Sequence, residues 1–555
     1  MRAGKNLARQ GRMARMARMA RMRGWTRLLR ATALAGAAAL LASACATLPG
    51  GDSFVVTTGE LPPVPTGRTW PDAAQDVRNQ RARGNGLVEM PEMQAYLNGL
   101  LAKVKTAAGV PNWPGAVYIT ASNDLEAYCT GAGNIYLSLG WLSSAESEDE
   151  IVAILSHEYG HVYLDYHQLE GASNTADKMA LWASVGMVLA QKAGNATGWG
   201  IGDSMVASYL LGKGVLVPAW GRQQEENADR FGATVSLRLG YSFTQGFKAF
   251  LERQDTWEQQ NAARREAQKL RVLEQVKLAA ADNARKKSAA QGNDAVNHAM
   301  REMQASLESG TAGLFQSVDS GVRDLWGQFT ESHPSTSARL DSLTAQVMPL
   351  MAGKPRPRPS VEPWTRALAQ KRSAATLKNY QLAADAQGAL QAQDFVRARK
   401  LALDAASGPT ARQALPLLTL SLAEIGPGGN GMQMQRAAMV LDRNLQSEPD
   451  RAWTVYVTRA NGLLGSGQGR AAQTVMDQGF TYFNDAPAAW PDAIRFYGQA
   501  GDWNRAKQLA AQCASRFPTY ANGCNTAALT PAEKAEQERR NEQKAKSLVD
   551  RLTKK

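Results

Sequence analysis

Two histidines four residues apart, with a glutamate directly after the first, stand at His157-Glu158-Tyr159-Gly160-His161. If the three side chains act together, this stretch has to be a helix. On a helix the two imidazoles lie about 40° apart around the axis and about 6 Å along it, so both reach one metal ion. Glu158 then points to the open side of that ion. The helix has its own start signal: Ser147-x-x-Glu150 reads as a capping box, followed by Ile151, Ile154 and Leu155 at helical spacing. Histidine is scarce, five in 555 residues, so composition alone does not produce the pattern. The chemistry it points to is peptide hydrolysis without a covalent intermediate. Zinc polarises a water and the scissile carbonyl, and a carboxylate moves the proton.

Two histidines hold a metal weakly, and the chain offers two ways to complete the set. His167 lies ten residues after His157, the interval of the metzincin pattern. That pattern has a glycine where Leu164 stands here, and nothing in Val162 to Tyr166 breaks a helix. A continuing helix would carry His167 about 120° round from His161 and about 9 Å further along, away from the metal. The second solution is Glu225, in Gly221-Arg-Gln-Gln-Glu-Glu-Asn-Ala-Asp229. Glu225 and Asp229 share one helical face. Glu225 can ligate while Asp229 accepts a hydrogen bond from the outer nitrogen of a liganding histidine and fixes its tautomer. Ala228 is small enough for close helix packing, and Glu226 lies about 100° round, towards solvent.

His157-Glu158-x-x-His161, then Glu225-x-x-Ala228-Asp229, then Ser332-His333-Pro334 with Arg339, resembles the gluzincin metallopeptidases of the HtpX, Oma and BepA group. The resemblance covers roughly residues 86 to 350. It extends to a strand at Val117-Tyr118-Ile119, to Glu126-Ala127-Tyr128 and to Gly133-Asn134-Ile135-Tyr136-Leu137. Glu126 stands where the family usually has asparagine, and Gly221 where serine usually precedes the arginine. The resemblance implies one Zn2+ per chain, held by His157, His161 and Glu225, with Glu158 and Asp229 in catalysis. It implies that the strand before the zinc helix is a sheet edge that pairs with an extended substrate, here Asn134, Ile135, Tyr136, Leu137 and Ser138. It also implies that His333 approaches the metal from a separate segment, to stabilise the oxyanion or to occupy the open zinc position for a time.

The formal net charge of +13 would suit nucleic acid or anionic lipid. Residues 1–44 hold ten Lys or Arg and no acid, however, so removing them leaves 13 − 10 = +3, and nucleic acid drops out. Those residues read as a secretory signal: an arginine-rich start, an apolar run from Ala31 to Ala44 too short to span a bilayer, and Ala42-Ser43-Ala44 before Cys45. Cys45 is a candidate lipidation site for outer-membrane anchoring, and the same residues also suit ordinary cleavage and a soluble periplasmic chain. Cys513 and Cys524, eleven apart, would close a small disulfide loop in an oxidising periplasm, worth about 2 to 3 kcal/mol. Cys129 is expected to be buried and not a nucleophile.

After a Pro-rich stretch from Lys354 to Pro363, the chain repeats. Arg-Ala recurs at Arg397-Ala398, Arg436-Ala437, Arg470-Ala471 and Arg505-Ala506, at spacings of 39, 34 and 35, with Pro409, Pro449, Pro487 and Pro518 following. Trp453, Trp490 and Tyr497 fall on helices. A period near 34 with small residues at helix crossings is the tetratricopeptide pattern, whose units stack into a solenoid with a binding face. Met179 to Ala190 and Met205 to Leu211 are apolar but too short to cross a membrane. Residues 255–330 read as a helical insertion, either a lid or a solvated hairpin.

The expected fold class is mainly α: an α+β protease domain with a small edge-exposed sheet and the active-site helix, followed by an α-helical tetratricopeptide-like solenoid. The expected order is a signal peptide (1–44), a linker after lipidated or free Cys45 (45–85), the metallopeptidase domain (86–350), a Pro-rich linker (351–365), repeats (366–530) and a charged tail (531–555). The expected function is a periplasmic zinc endopeptidase acting on unfolded or misassembled envelope proteins. By resemblance to BepA-type enzymes this implies outer-membrane protein quality control, with the repeats recruiting clients or an assembly complex. A chaperone or scaffold with a structural or latent zinc site, and a metzincin using His167, are the competing readings.

Overall fold

The computed structural model describes residues 56–84, 86–164, 222–261, 336–355, 357–426, 431–447, 450–534 and 536. The signal segment, Cys45, His167, the apolar runs after Met179 and Met205, the insertion beyond residue 261, His333 and the tail beyond 536 lie outside them.

The described chain is mainly helical with one three-stranded sheet. It opens with helix α1 (Ala73–Arg83) and α2 (Pro91–Ala107), continues through β1 (Val117–Thr120), β2 (Ala127–Cys129) and β3 (Ile135–Ser138), and enters α3 (Leu139–Ser144) and α4 (Glu148–Tyr163). Helix α5 (Arg222–Arg238) follows, then a π-helical turn at Thr244–Lys248 that runs on as helix to residue 261. Helix α6 (Thr336–Met351) closes this half. Every residue of α4 is buried, so it is a core helix with neighbours on all sides.

The sheet order is β1-β3-β2, with β3 parallel to β1 and antiparallel to β2. This corrects the expected edge. Asn134 to Ser138 supplies the central strand, and both sides of its backbone are taken by neighbours. Its side chains are structural as well. Ile135 and Leu137 enter the main core, while Tyr136 stacks on Tyr118 and Tyr128 on the other face. Asn134 accepts from the Ala116 N–H and donates to Asp76 at 2.8 Å, and Tyr136 donates to the same Asp76 oxygen at 2.7 Å. Ser138 caps α3 and accepts from the Glu126 N–H.

Residues 56–84, expected as part of a linker, are instead packed. The Val56 N–H donates to Asn227 and the Gly59 N–H to Thr234, both on α5, and the Tyr163 hydroxyl donates to the Pro62 carbonyl. Helix α1 lies across the outer face of the sheet through Asp76 and Val77. Its other side meets the C-terminal helices: Gln75 donates to the Asp485 carbonyl, Arg78 pairs with Asp485, Ala82 enters that region's core and Arg83 donates to the Tyr520 hydroxyl.

The Pro-rich linker is likewise half helical. Helix α7 (Val361–Leu368) buries Trp364, whose indole N–H donates to the Ala145 carbonyl just before α4. Beyond it come four helix pairs: α8 (Lys371–Gln391) with α9 (Phe395–Ala405), α10 (Ala414–Ile425) with α11 (Gly431–Leu445), α12 (Trp453–Gly465) with α13 (Gly469–Phe483), and α14 (Trp490–Gln499) with α15 (Trp503–Arg516). The short α16 (Ala521–Ala527) follows. Pro409, Pro487 and Pro518 each open a 3-10 turn ahead of the next helix. Ala398, Ala437 and Ala506 are buried where pairs cross, but in the third pair the buried alanine is Ala472 and Ala471 is exposed. The Arg-Ala pattern slips there by one residue. Cys513 and Cys524 are joined by a disulfide that ties α15 to α16. Among the described residues no helix is long and apolar enough to cross a membrane.

Candidate active site

The site is built on the first turn of α4, where three acidic residues sit at the positive end of the helix dipole and are all engaged. Ser147 accepts from the Glu150 N–H, as a capping box requires, whereas the Glu150 carboxylate takes the Glu146 N–H and Arg253. Glu148 accepts from the Tyr96 and Tyr241 hydroxyls. Asp149 accepts from the Ser242 N–H at 2.7 Å and the Ser360 N–H at 2.6 Å, so one carboxylate binds the segment before the π-turn and the N-cap of α7 to α4.

Ten residues along, α4 meets α5 at very short range. A Cβ on Gly160 would lie 3.1 Å from the Ala228 Cα, and one on Gly232 would lie 2.9 Å from the His157 nitrogen. Only glycine at both positions permits this approach, and it carries Glu225 between the two histidines. The Glu225 carboxylate oxygens stand 3.3 Å from His161 Nε2 and 3.6 Å from His157 Nε2. The three candidate ligand atoms lie within 4.8 Å of one another, and all three residues are buried. His157 turns its other nitrogen, Nδ1, to Asp229 at 2.9 Å, which fixes Nε2 as the ligating atom. The aromatic rings of Phe247, on the π-turn, and Phe250 pack against His157.

Arg339 of α6, fully buried, completes the cluster. It forks onto Asp229 at 2.8 and 2.7 Å and reaches Glu225 at 2.8 Å. Burial alone would raise the Asp229 carboxyl, but the Arg339 charge and the hydrogen bonds from His157 and Arg339 outweigh it and hold it at about 2. Burial pushes the His157 imidazole down, so its neutral, ligating form is favoured. Arg339 was visible in the sequence only as part of the resemblance, with no role attached. A local signal does exist: Thr336, Arg339, Leu343 and Val347 form the buried stripe of α6, and an arginine in such a stripe needs buried acids opposite.

Glu158 is buried beside β2, where the Cys129 thiol hydrogen-bonds to it. Burial first, and then Glu158, push that thiol well up, so Cys129 is a protonated neighbour and no nucleophile. Helix α4 ends at Tyr163 with Leu164 as its C-cap, and His167 lies outside the described residues. Among the described residues Glu225 is the carboxylate that stands with the histidine pair, which favours the second solution.

The residues present fit a divalent metal. Two imidazoles and one carboxylate form the three-ligand set of an open zinc site. In ionised form, Glu158, Glu225 and Asp229 set three negative charges against one guanidinium in a buried cluster, and a dication balances the remainder.

Comparison with known proteins agrees with this geometry. Residues 91–347 match peptidase family M48. The chain is similar to the beta-barrel assembly-enhancing protease of Yersinia pestis, 26% identical over 181 residues, which cover 32% of this chain and 35% of that relative. The chain thus spans about a third of the length of the curated relative it matches. Over residues 91–347 this chain is therefore similar to peptidase family M48, and the convergence of His157, His161 and Glu225 fits that likeness.

Proposed function

We propose that the chain is a zinc-dependent endopeptidase of the cell envelope that cleaves unfolded or misassembled proteins. The observation that carries this reading is the convergence of His157, His161 and Glu225 on one point, with Glu158 on the same helix and Asp229 behind His157. Bound Zn2+ supplies Lewis acidity towards a water and the substrate carbonyl. Glu158 takes the proton from the attacking water and delivers it to the leaving amine. Asp229, held by Arg339, keeps His157 in the ligating tautomer. With β3 enclosed, the extended substrate pairs along β2, the marginal strand that carries Cys129 beside Glu158. His333 acts as oxyanion donor or as a temporary fourth ligand; this rests on the sequence resemblance.

Outer-membrane protein quality control is the favoured context, supported by the similarity to a protease named for β-barrel assembly and by the signal-like N-terminus. The repeats recruit clients or an assembly complex, and lipidation of Cys45 would anchor the chain at the outer membrane. Glu158→Gln should retain one zinc per chain by plasma mass spectrometry and abolish cleavage of an unfolded protein. Retained cleavage would refute the role given to Glu158. The same variant, used as a trap in the cell envelope, would identify the clients by mass spectrometry.

A further inference from the structure

Four large apolar side chains of the helix pairs face outward: Val396 and Leu403 on α9, and Met432 and Met439 on α11, at 85, 43, 70 and 62% exposure. Single exposed apolar residues are ordinary. These four are gathered in one place by Glu424 of α10, whose carboxylate binds Arg399 of α9 at 2.8 Å and Arg436 of α11 at 3.3 Å. Val396 and Leu403 lie three before and four after Arg399; Met432 and Met439 lie four before and three after Arg436. Those spacings keep each trio on one helical face. Two apolar stripes therefore flank a shared ion pair. Lys400, beside Arg399, is exposed on α9 and adds positive charge, whereas Arg397 lies about 200° round the helix from Arg399. Of the nearby acids, Asp394 caps α9 and Asp442 pairs with Arg459, while Asp404 is exposed near the end of α9.

We propose that this face of α9, α10 and α11 receives an unfolded, acidic polypeptide segment and so supplies substrate to the protease; the proposal rests on the endopeptidase reading above. Two features select this occupant. Methionine is unbranched and polarisable, and suits apolar side chains that arrive without fixed shape. The surplus of exposed cations, with Glu424 already shared between two arginines, is complementary to acidic flanks. The other end of the array is committed elsewhere, because Asp485 and Tyr520 hold α1.

The test uses the full chain with Glu158→Gln and a fluorescent probe, reduced carboxymethylated α-lactalbumin, a permanently unfolded acidic chain. Val396→Ser, Leu403→Ser, Met432→Gln and Met439→Gln are combined; all four positions are exposed, and circular dichroism checks the fold. Anisotropy should show affinity falling about tenfold or more, and raised salt should weaken binding to the unsubstituted face. Unchanged affinity would overturn the proposal. So would a variant that keeps the polypeptide but loses phosphatidylglycerol vesicles in co-sedimentation, or that changes only its mass in sedimentation velocity, outcomes that assign the face to a membrane or to a second copy. In the chain with Glu158 intact, KM for the long probe should rise while turnover of a short peptide stays constant. Absence of cleavage of both would defeat the endopeptidase reading, and anisotropy would still decide the surface.

Discussion

At the scale of single residues, the site depends on one cation among acids. Arg339 binds Glu225 and Asp229 together, and its planar fork matches the Asp229 carboxylate in a way that lysine cannot. Arg339→Lys should therefore fold yet bind zinc about 10- to 100-fold more weakly, measured by competition with a chelator. Equal affinity would make Arg339 a bystander. The His157 shift gives a pH dependence for the metal-free protein. Its folded imidazole stays neutral where the unfolded one is protonated, so stability is present above the ordinary histidine pKa of 6.5 and is lost as pH falls below it. Thermal melts of the chelated protein between pH 8 and 5 should show this loss, and His157→Gln should flatten it. Much of the site was legible from residues: His157, Glu158, His161, Glu225 and Asp229 announce their spacing on two helices. Arg339 is legible only as a charge in the apolar stripe of α6, and its partner Asp229, 110 residues earlier, is not legible from that stripe.

At the scale of elements, the separation of α4 and α5 determines whether Glu225 reaches the histidines. Gly160→Ala would place a methyl 3.1 Å from the Ala228 Cα and 3.2 Å from its carbonyl oxygen, both backbone atoms that yield only if the helices part. The expected cost is about 1 to 3 kcal/mol of stability together with weaker zinc binding. A change in denaturation midpoint without a change in metal affinity would separate the two effects and refute the link. The sheet shows where sequence reading stopped. Ile135 to Ser138 reads as a strand, but whether a strand is central or marginal depends on Val117–Thr120 and Ala127–Cys129 pairing along its two sides, which is not encoded in its own residues. Asn134→Ala thus becomes a discriminating substitution. It should destabilise by about 1 to 3 kcal/mol through loss of its bonds to Ala116 and Asp76 and leave KM unchanged. A substrate-binding role would give the opposite pattern.

For the whole molecule, the boundaries drawn from composition are the part that the structure redraws. A Pro-rich stretch marked residues 351–365 as a linker and residues 45–85 were expected to be another, yet Ser360 and Trp364 are bonded to the start of α4, and residues 56–84 lie on α5, the sheet and the C-terminal helices alike. Composition records how polar a segment is and not what it is bonded to. Reducing the Cys513–Cys524 disulfide should lower stability by about 2 to 3 kcal/mol and leave zinc content intact, since the bond ties only α15 to α16. Helix α1 has a further consequence, in the order in which the chain is made. Its contacts to Asp485 and Tyr520 span 410 and 437 residues, among the most distant in sequence that a chain of 555 can make. The bonds that hold α1 on its outer side therefore form only after Asp485 and Tyr520 have been synthesised. A chain cut short after α13 would lack both Asp485 and Tyr520, and α1 would lose these outer partners while keeping its bonds to the sheet through Asp76.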